Sequence, residues 1–290
     1  MMLFFQSILS GILTGGVYAL AGIGMSLVFG VMNVSNFAHG DLMMLGMYLA
    51  YFAFTLLSID PYVSLLLIMP TAFLFGFILE KVFINRVINH PHQNQILLTI
   101  GLGLIMSNTA LLAFTSDPKI LTTSYSSSAF NNLEGISLSV PLLLSFLITC
   151  AITAILYLFL SKTSTGMALR ATSQNREAAQ LMGINVARMS AIAFGLGTAL
   201  AATAGALIAP TYYIYPLAGH SFLLKSFTIC VLGGLGSVVG ATVGGLIIGV
   251  VEAMASTYLS SDWKDVVVFV LFLAVLLFRP QGLFGKKGGQ

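Results

Sequence analysis

The chain has 290 residues, of which 58% are hydrophobic and 7% are charged, and its formal net charge is +3. A soluble domain carries about 25% charged residues, so this composition excludes a soluble globular protein and predicts an outer surface that faces mainly lipid. No basic cluster is interleaved with aromatic residues, so nucleic acid is not an expected partner.

Apolar runs of about 20 residues, the length needed to cross a bilayer, recur along the chain. They predict an all-α polytopic membrane protein of about eight transmembrane helices (range about eight to ten) in one domain, residues 1–290. The predicted spans are residues 8–29, 41–57, 62–79, 95–114, 139–160, 189–209 and 263–278, with a glycine-rich region at 222–259. This region is either two short crossings that meet at residues 233–236 or one crossing with a re-entrant piece.

The positive charges predict the orientation of the chain. Nine of the twelve Lys and Arg residues fall on one face: Lys81, Arg86, Lys162, Arg170, Arg176, Arg188, Arg279, Lys286 and Lys287. Because cytoplasmic loops are enriched in Lys and Arg, this face is predicted to be cytoplasmic. The long loop 161–188 and the C-terminus then lie on the cytoplasmic side of a bacterial cell (inner) membrane.

A polar stretch interrupts the apolar sequence between the first two spans. It contains Asn33, Ser35, Asn36, His39 and Asp41. Residues 42–57 give only about 24 Å of helix, less than the roughly 30 Å hydrocarbon core, so the second helix is expected to begin inside the membrane. Ser35 or Asn36 then caps the helix, with Asp41 near its positive end. Alternatively, the stretch is a discontinuous helix beside a solute pathway, with Asn33, Asn36, His39 and Asp41 on that pathway.

The second half contains a glycine-rich counterpart to this stretch. Gly236, Gly240 and Gly244 recur at every fourth residue, a spacing that allows close helix packing. The alternative is a second interrupted element, for which the candidate pathway residues are Gly233, Gly234 and Gly236. One interruption in each half suggests an inverted repeat, with halves 1–138 and 139–290. Glu252, an acid within this apolar region, either reaches the outer interface or faces the pathway.

The long basic loop contains a short helix signal. Asn175 is a suitable N-cap, Glu177 falls in the first turn, and Gly183 suits the position after the helix. These residues predict a helix over 176–182. Two turns are unstable alone, so the helix is expected to dock into a partner. The alternative is a helix lying on the inner leaflet.

Four motifs resemble one family of membrane proteins. Glu177-Ala178-Ala179 followed by Gly183 resembles the E-A-A…G loop of ABC-importer permeases. The NFAHGD run at 36–41 resembles the signature of branched-chain amino-acid permeases of the LivH type. The GGLGSVVGATVGG run and the RPQGLF run at 279–284 resemble the same family. The resemblance extends over residues 11–284.

The resemblance implies a transport subunit that performs no catalysis, needs no cofactor and holds no metal. Its coupling helix would seat in an ATPase subunit through Arg176, Glu177, Ala178, Ala179, Leu181 and Gly183. The implied partners are a second related permease (or a second copy of this chain), two cytoplasmic ATP-binding subunits and an extracytoplasmic binding protein. The implied substrates are branched-chain or related hydrophobic amino acids, although some relatives carry urea or short amides.

Two other functions compete with this interpretation. An ATP-independent secondary transporter would need an intramembrane coupling-ion site, for which His39, Asp41 and Glu252 are candidates. An intramembrane enzyme would need a nucleophile with its base or a carboxylate pair. The sequence shows no such spacing, and His90 and His92 flank Pro91 in what is predicted to be a solvated bend.

Overall fold

A computed structural model describes residues 2–88, 90–126, 128–133, 136–279 and 281–285. In the first half the elements are α1 (Met2–Met32), α2 (His39–Leu57), α3 (Leu65–Leu79), a π-helical turn (Glu80–Ile84), α4 (Asn85–Val87), α5 (His92–Phe114), β1 (Ala129–Leu133) and β2 (Ile136–Ser139). In the second half they are α6 (Val140–Lys162), α7 (Ser164–Gln174), α8 (Arg176–Leu181), α9 (Val186–Ile208), α10 (Ala218–Gly233), α11 (Val238–Tyr258), a 3-10 turn (Ser261–Trp263) and α12 (Lys264–Phe278).

The all-α polytopic prediction is confirmed. Within the described residues, seven helical stretches are long and apolar enough to cross a membrane: α1, α2, α3 with its continuation to Val87, α5, α6, α9 and α11. The helices α10 and α12 are apolar but shorter, at 16 and 15 residues, or about 24 and 22 Å. The glycine-rich region is therefore two helices, α10 and α11, that are joined at residues 234–237.

The helices α1 and α9 form the centre of the bundle. Within an 18-residue apolar stretch of each helix, 83% of the residues are buried in α1 and 89% in α9, against 17% in the peripheral α6. Each of these two helices packs closely against a neighbouring helix at a glycine. A Cβ built on Gly11 of α1 would lie 2.7 Å from Val250 Cα of α11, and one built on Gly76 of α3 would lie 3.1 Å from Phe194 O of α9. Glycine lets helix backbones pack this closely because no side chain separates them.

The chain reverses direction between α1 and α2 without leaving the bundle. Asn33 ends α1 with a left-handed φ of 55°, and Asn36 Oδ1 accepts a hydrogen bond from Ala38 N at 3.1 Å. The first residue of α2, His39, forms a hydrogen bond between its Nε2 and Ala21 O at 2.9 Å. Ala21 lies 11 residues (32 minus 21) before the end of α1, or about 16 Å along it. Thus α2 begins in the interior of the bundle, as its short span predicted.

The ends of the helices define two faces. The basic face carries the described Lys and Arg residues of the predicted cytoplasmic loops, namely Lys81, Arg86, Lys162, Arg170, Arg176, Arg188 and Arg279. The opposite face carries the antiparallel hairpin β1–β2, an element that the apolar pattern did not predict. It also carries a hydrogen bond of 2.6 Å from Tyr125 Oη to Asp60 Oδ2.

Candidate functional site

The short helix α8 lies on the basic face and is defined by local signals. Asn175 Oδ1 accepts a hydrogen bond from Ala178 N at 2.9 Å, which makes Asn175 the N-cap. The helix extends from Arg176 to Leu181, one residue shorter than predicted. Gly183 follows with a φ of 82°, a conformation that a residue with a side chain rarely adopts.

The side chains of α8 divide into a buried and an exposed set. Ala179 is 4% exposed, and its carbonyl oxygen accepts a hydrogen bond from Ile184 N at 3.1 Å, so this side of the helix is held by the protein. Leu181 and Met182 are 88% and 82% exposed. Two large apolar side chains at the end of a capped helix, both pointing away from the protein, form a surface that is suited to a partner.

A cavity of about 890 Å³ lies on the basic face beside α8, and we call it the basic cavity. It contains one predicted pathway residue from each half of the chain, Asn33 and Gly236, and one predicted coupling residue, Arg176. Its other polar lining residues include His92, Gln95, Arg170, Thr172, Ser173, Gln174 and Ser237. The end of α1 and the start of α8 are thus two walls of one space.

The starts of α2 and α10 meet inside the bundle. A Cβ built on Gly219 would lie 2.7 Å from Gly40 O and 2.9 Å from Asp41 N, so the two backbones touch. Asp41 is 6% exposed, and its Oδ1 has no hydrogen-bond partner among the described residues. His220, in the first turn of α10, lies within Coulombic range of the Asp41 carboxylate. Asp41 was among the predicted site residues and His220 was not, because nothing in the α10 sequence indicated that it begins next to α2.

Glu252 lies in a separate polar cluster. Its Oε1 is 2.7 Å from Lys225 Nζ, and it is 6% exposed, so its carboxylate is buried within the protein. Lys225 Nζ is also 3.4 Å from Asp265 Oδ1 and 3.4 Å from Tyr18 Oη, which in turn is 3.0 Å from Tyr212 Oη. Lys225 was not among the predicted residues, although a lysine within an apolar helix is itself a signal of a buried partner.

Gly233 and Gly234 lie against the C-terminal segment. Gly233 O accepts a hydrogen bond from Phe284 N at 3.1 Å. Gly234 has a φ of 99°, and a Cβ there would lie 2.6 Å from Gly285 N. The predicted pathway residues therefore occupy several places: the basic cavity (Asn33, Gly236), the helix starts (Asn36, His39, Asp41), the C-terminal contact (Gly233, Gly234) and the Lys225 cluster (Glu252).

Comparison with known proteins identifies the family. The sequence matches the family described as "Branched-chain amino acid transport system / permease component" over residues 7–276. The chain belongs to this family. It is therefore a permease component and a multi-pass membrane protein, which confirms the prediction from the motifs. The family implies ATP-binding and solute-binding partners in general terms.

Full-length relatives give the same assignment. The high-affinity branched-chain amino acid transport system permease protein BraD of Pseudomonas aeruginosa is 35% identical over 295 residues, which cover 98% of this chain and 96% of BraD. The permease proteins LivH of Escherichia coli (strain K12) and of Salmonella typhimurium are both 33% identical, with 98% of this chain and 96% of each relative covered. No solved structure gives a significant match.

Proposed function

We propose that this permease forms half of the membrane path of an ATP-driven importer of branched-chain or related hydrophobic amino acids. The family match and the names of the relatives support this class of substrate. Transport of urea or short amides, and transport without ATP, remain the alternatives that an experiment must separate. The permease carries out no chemistry itself, and ATP hydrolysis belongs to separate subunits.

The observation that carries the coupling role is the exposure of Leu181 and Met182 on a capped two-turn helix. Burying one such side chain contributes about 1.5–3 kcal/mol. If a cleft in an ATPase subunit covers both side chains, their burial supplies a large part of the free energy of binding between the two subunits. Arg176 and Glu177, at the opposite end of the same helix, orient the contact. Ala178, Ala179 and Gly183 set the shape of the helix and of its exit.

The basic cavity offers a route from the coupling helix to the interrupted helices. Arg176 at the start of α8 and Asn33 at the end of α1 line the same space. When the ATPase subunits close and displace α8, the wall that α8 contributes moves relative to the end of α1. We propose that this movement changes the width of the path on the basic face.

The interrupted segments are the proposed pathway elements. Transporters commonly build their solute sites from broken helices, because the freed backbone groups face protein or water. In this permease Asn33, Asn36, His39 and Asp41 would shape the path at the start of α2. Gly233, Gly234 and Gly236 would give the junction of α10 and α11 its freedom to move. Glu252 would contribute indirectly, by holding Lys225 of α10.

The complex proposed here has a second related permease (or a second copy of this chain), two cytoplasmic ATP-binding subunits and an extracytoplasmic binding protein. The charge distribution supports an orientation with the basic face, and therefore α8, in the cytoplasm of a bacterial cell.

Reconstitution in vesicles tests the proposal. The permease, its ATP-binding subunits and its binding protein are incorporated together, and ATP-dependent uptake is compared for leucine, isoleucine, valine, other amino acids and urea. We expect uptake of the branched-chain amino acids that requires ATP. Uptake of urea in preference to leucine would overturn the substrate, and accumulation driven by a proton or sodium gradient alone would overturn the mechanism.

Substitutions in α8 test the coupling role. Leu181→Asp is expected to lower uptake and stimulated ATP hydrolysis at least about tenfold, since it places a charge in an apolar cleft. Glu177→Lys is expected to lower both as well. Met167→Asp, which changes an exposed apolar residue of α7, is the matched control and should retain both activities. Full activity of Leu181→Asp and Glu177→Lys would exclude α8 as the docking element.

A further inference from the structure

A second recess, which we call the lateral groove, lies between α1, α6, α7 and the start of α11. Its volume is about 190 Å³. Its floor consists of buried apolar residues, namely Leu27, Val31, Leu160 and Leu169, while Tyr157 of α6 and Val239 of α11 lie on its walls and are 58% and 53% exposed. Since α6 and α11 are membrane-spanning candidates, the groove opens sideways, toward lipid.

The lateral groove adjoins the basic cavity. Both are lined by the same six residues: Gly30, Val31, Arg170, Ser173, Gly236 and Ser237. An apolar slot therefore lies directly beside a polar space on the basic face, and Arg170 lines both. A ligand that fits both spaces has a polar head and an apolar chain.

The charges at this junction all have the same sign. Arg170 lines both spaces and Arg176 lines the basic cavity, and no Asp or Glu is among the described residues that line either one. The Glu80 carboxylate acts on Arg176 from outside both spaces, so Arg170 is the basic residue that carries the argument. No carboxylate of the described residues forms an ion pair with Arg170, whose Nη2 donates only to Ser161 O at 3.5 Å. Ser237 caps the 21-residue helix α11, whose positive end points at the same place. The head group that fits is therefore anionic.

We propose that the lateral groove binds one anionic phospholipid from the leaflet at the basic face, with its head group at the edge of the basic cavity. Its phosphate lies at Arg170 and Ser237, and one acyl chain lies in the groove between Leu27 and Val239. Basic pockets between membrane helices bind anionic lipid head groups by the same physics. A free anion would use only the polar half of the site and would leave the apolar groove empty, which is why a lipid fits better than a soluble solute.

This lipid would connect four elements near the coupling helix. Arg170 and Ser173 belong to α7, which ends immediately before the N-cap of α8. A bound lipid would therefore stiffen the support of α8 against α1 and α11. The inference does not depend on the substrate of the importer or on ATP, so it can fail while the proposed function holds.

Native mass spectrometry on the purified, delipidated full chain tests the site. The chain is mixed with equal amounts of phosphatidylglycerol and phosphatidylcholine that have identical acyl chains, and the bound fractions are compared. We expect phosphatidylglycerol to be retained preferentially. Arg170→Gln should lower that preference about fivefold, the contribution of one basic side chain near a lipid surface. Val239→Trp, which fills the groove, should lower retention of the lipid without removing a charge.

Matched variants keep the test decisive. Arg188→Gln removes an exposed arginine of the basic face that lines neither space, and it should retain the preference. If Arg170→Gln unfolds, Arg170→Lys replaces it and should keep most of the preference. Equal retention of both lipids by the unchanged chain, or an undiminished preference in Arg170→Gln, overturns the proposal. Complete competition by inorganic phosphate at the lipid concentration would assign the site to a soluble anion instead and would also overturn it.

Discussion

Two buried acids of the membrane helices, Asp41 and Glu252, are equally inaccessible and differently partnered. Each is 6% exposed. Glu252 Oε1 is 2.7 Å from Lys225 Nζ, and the cluster extends to Asp265 and Tyr18. Asp41 has no ion pair among the described residues, its Oδ1 accepts no hydrogen bond there, and His220 is near it without a direct contact.

The difference separates two uses of charge inside a membrane protein. A carboxylate neutralised by a lysine at 2.7 Å holds helices together, and its removal matters to the fold. Each carboxylate has one oxygen without a hydrogen-bond partner among the described residues, so the difference between them is the cation. We predict that the unpaired carboxylate, at the meeting point of two helix starts, acts on a moving solute. Intramembrane acids are costly, so each must be explained by one of these roles. We therefore expect Glu252 to contribute to stability and Asp41 to contribute to transport.

The largest expected effect is the loss of Lys225. Lys225→Met leaves Glu252 charged and buried without a close cation, and breaking a buried pair in this way costs about 3–5 kcal/mol. The free energy of unfolding, measured in detergent by chemical denaturation, should fall by that amount. The double variant Lys225→Met with Glu252→Leu should recover most of it, because no charge is then left unpaired. A double variant as unstable as the single one would mean that the cluster is not held by its charges.

The next effect comes from the contact beside Asp41. In Gly40→Ala the new Cβ would clash with the carbonyl oxygen of Gly219 and would lie 2.8 Å from Leu223 Cβ. Overpacking of this kind costs about 1–3 kcal/mol, measured by the same denaturation. Gly101→Ala, a helical glycine with nothing within 4 Å of its Cβ, should instead gain up to about 1 kcal/mol from helix propensity. Equal behaviour of the two variants would show that the helix starts do not touch.

Asp41 itself is predicted to affect transport and not folding. Asp41→Asn keeps the shape of the side chain and removes its charge, so unfolding should change by less than about 1 kcal/mol. ATP-dependent uptake should fall about tenfold, the result of losing about 1.4 kcal/mol of interaction with the solute on its way through the membrane. Asp262→Asn, at an exposed position, is the control. If Asp41→Asn destabilises the chain, and the molecules that remain folded transport at the normal rate, then Asp41 has the same structural role as Glu252.

The smallest effect is expected from a substitution at the edge of the Lys225 cluster. Tyr18→Phe removes the hydroxyl that lies 3.0 Å from Tyr212 Oη and 3.4 Å from Lys225 Nζ. We expect about 0.5–1.5 kcal/mol of destabilisation, the net value of a buried hydrogen bond. Tyr157→Phe, on the exposed surface of α6, should change nothing measurable. Combining Tyr18→Phe with Lys225→Met should give less than the sum of the two effects, since the residues share one network.

Local signals in the sequence were sufficient for several parts of the site. The cap at Asn175 and the glycine after α8 were both predicted, because capping depends on residues three or four positions apart. The interior start of α2 followed from the length of its apolar run. The pairing of Glu252 with Lys225 was not predicted, since these residues are 27 positions apart and face each other only after α10 and α11 pack. His220 was missed for the same reason.

The sequence by itself determined that this is a multi-pass membrane protein, because hydrophobic length, charge asymmetry and capping signals act over a few turns of helix. Its motifs added the resemblance to the permease family. Only the tertiary structure decided which polar groups meet: Asp41 beside the start of α10, Lys225 against Glu252, and Arg170 where the basic cavity adjoins the lateral groove. In a membrane helix almost every face is apolar, so the hydrophobic pattern does not mark which face turns inward. Close packing through small residues decides that, and it depends on all the neighbouring helices at once.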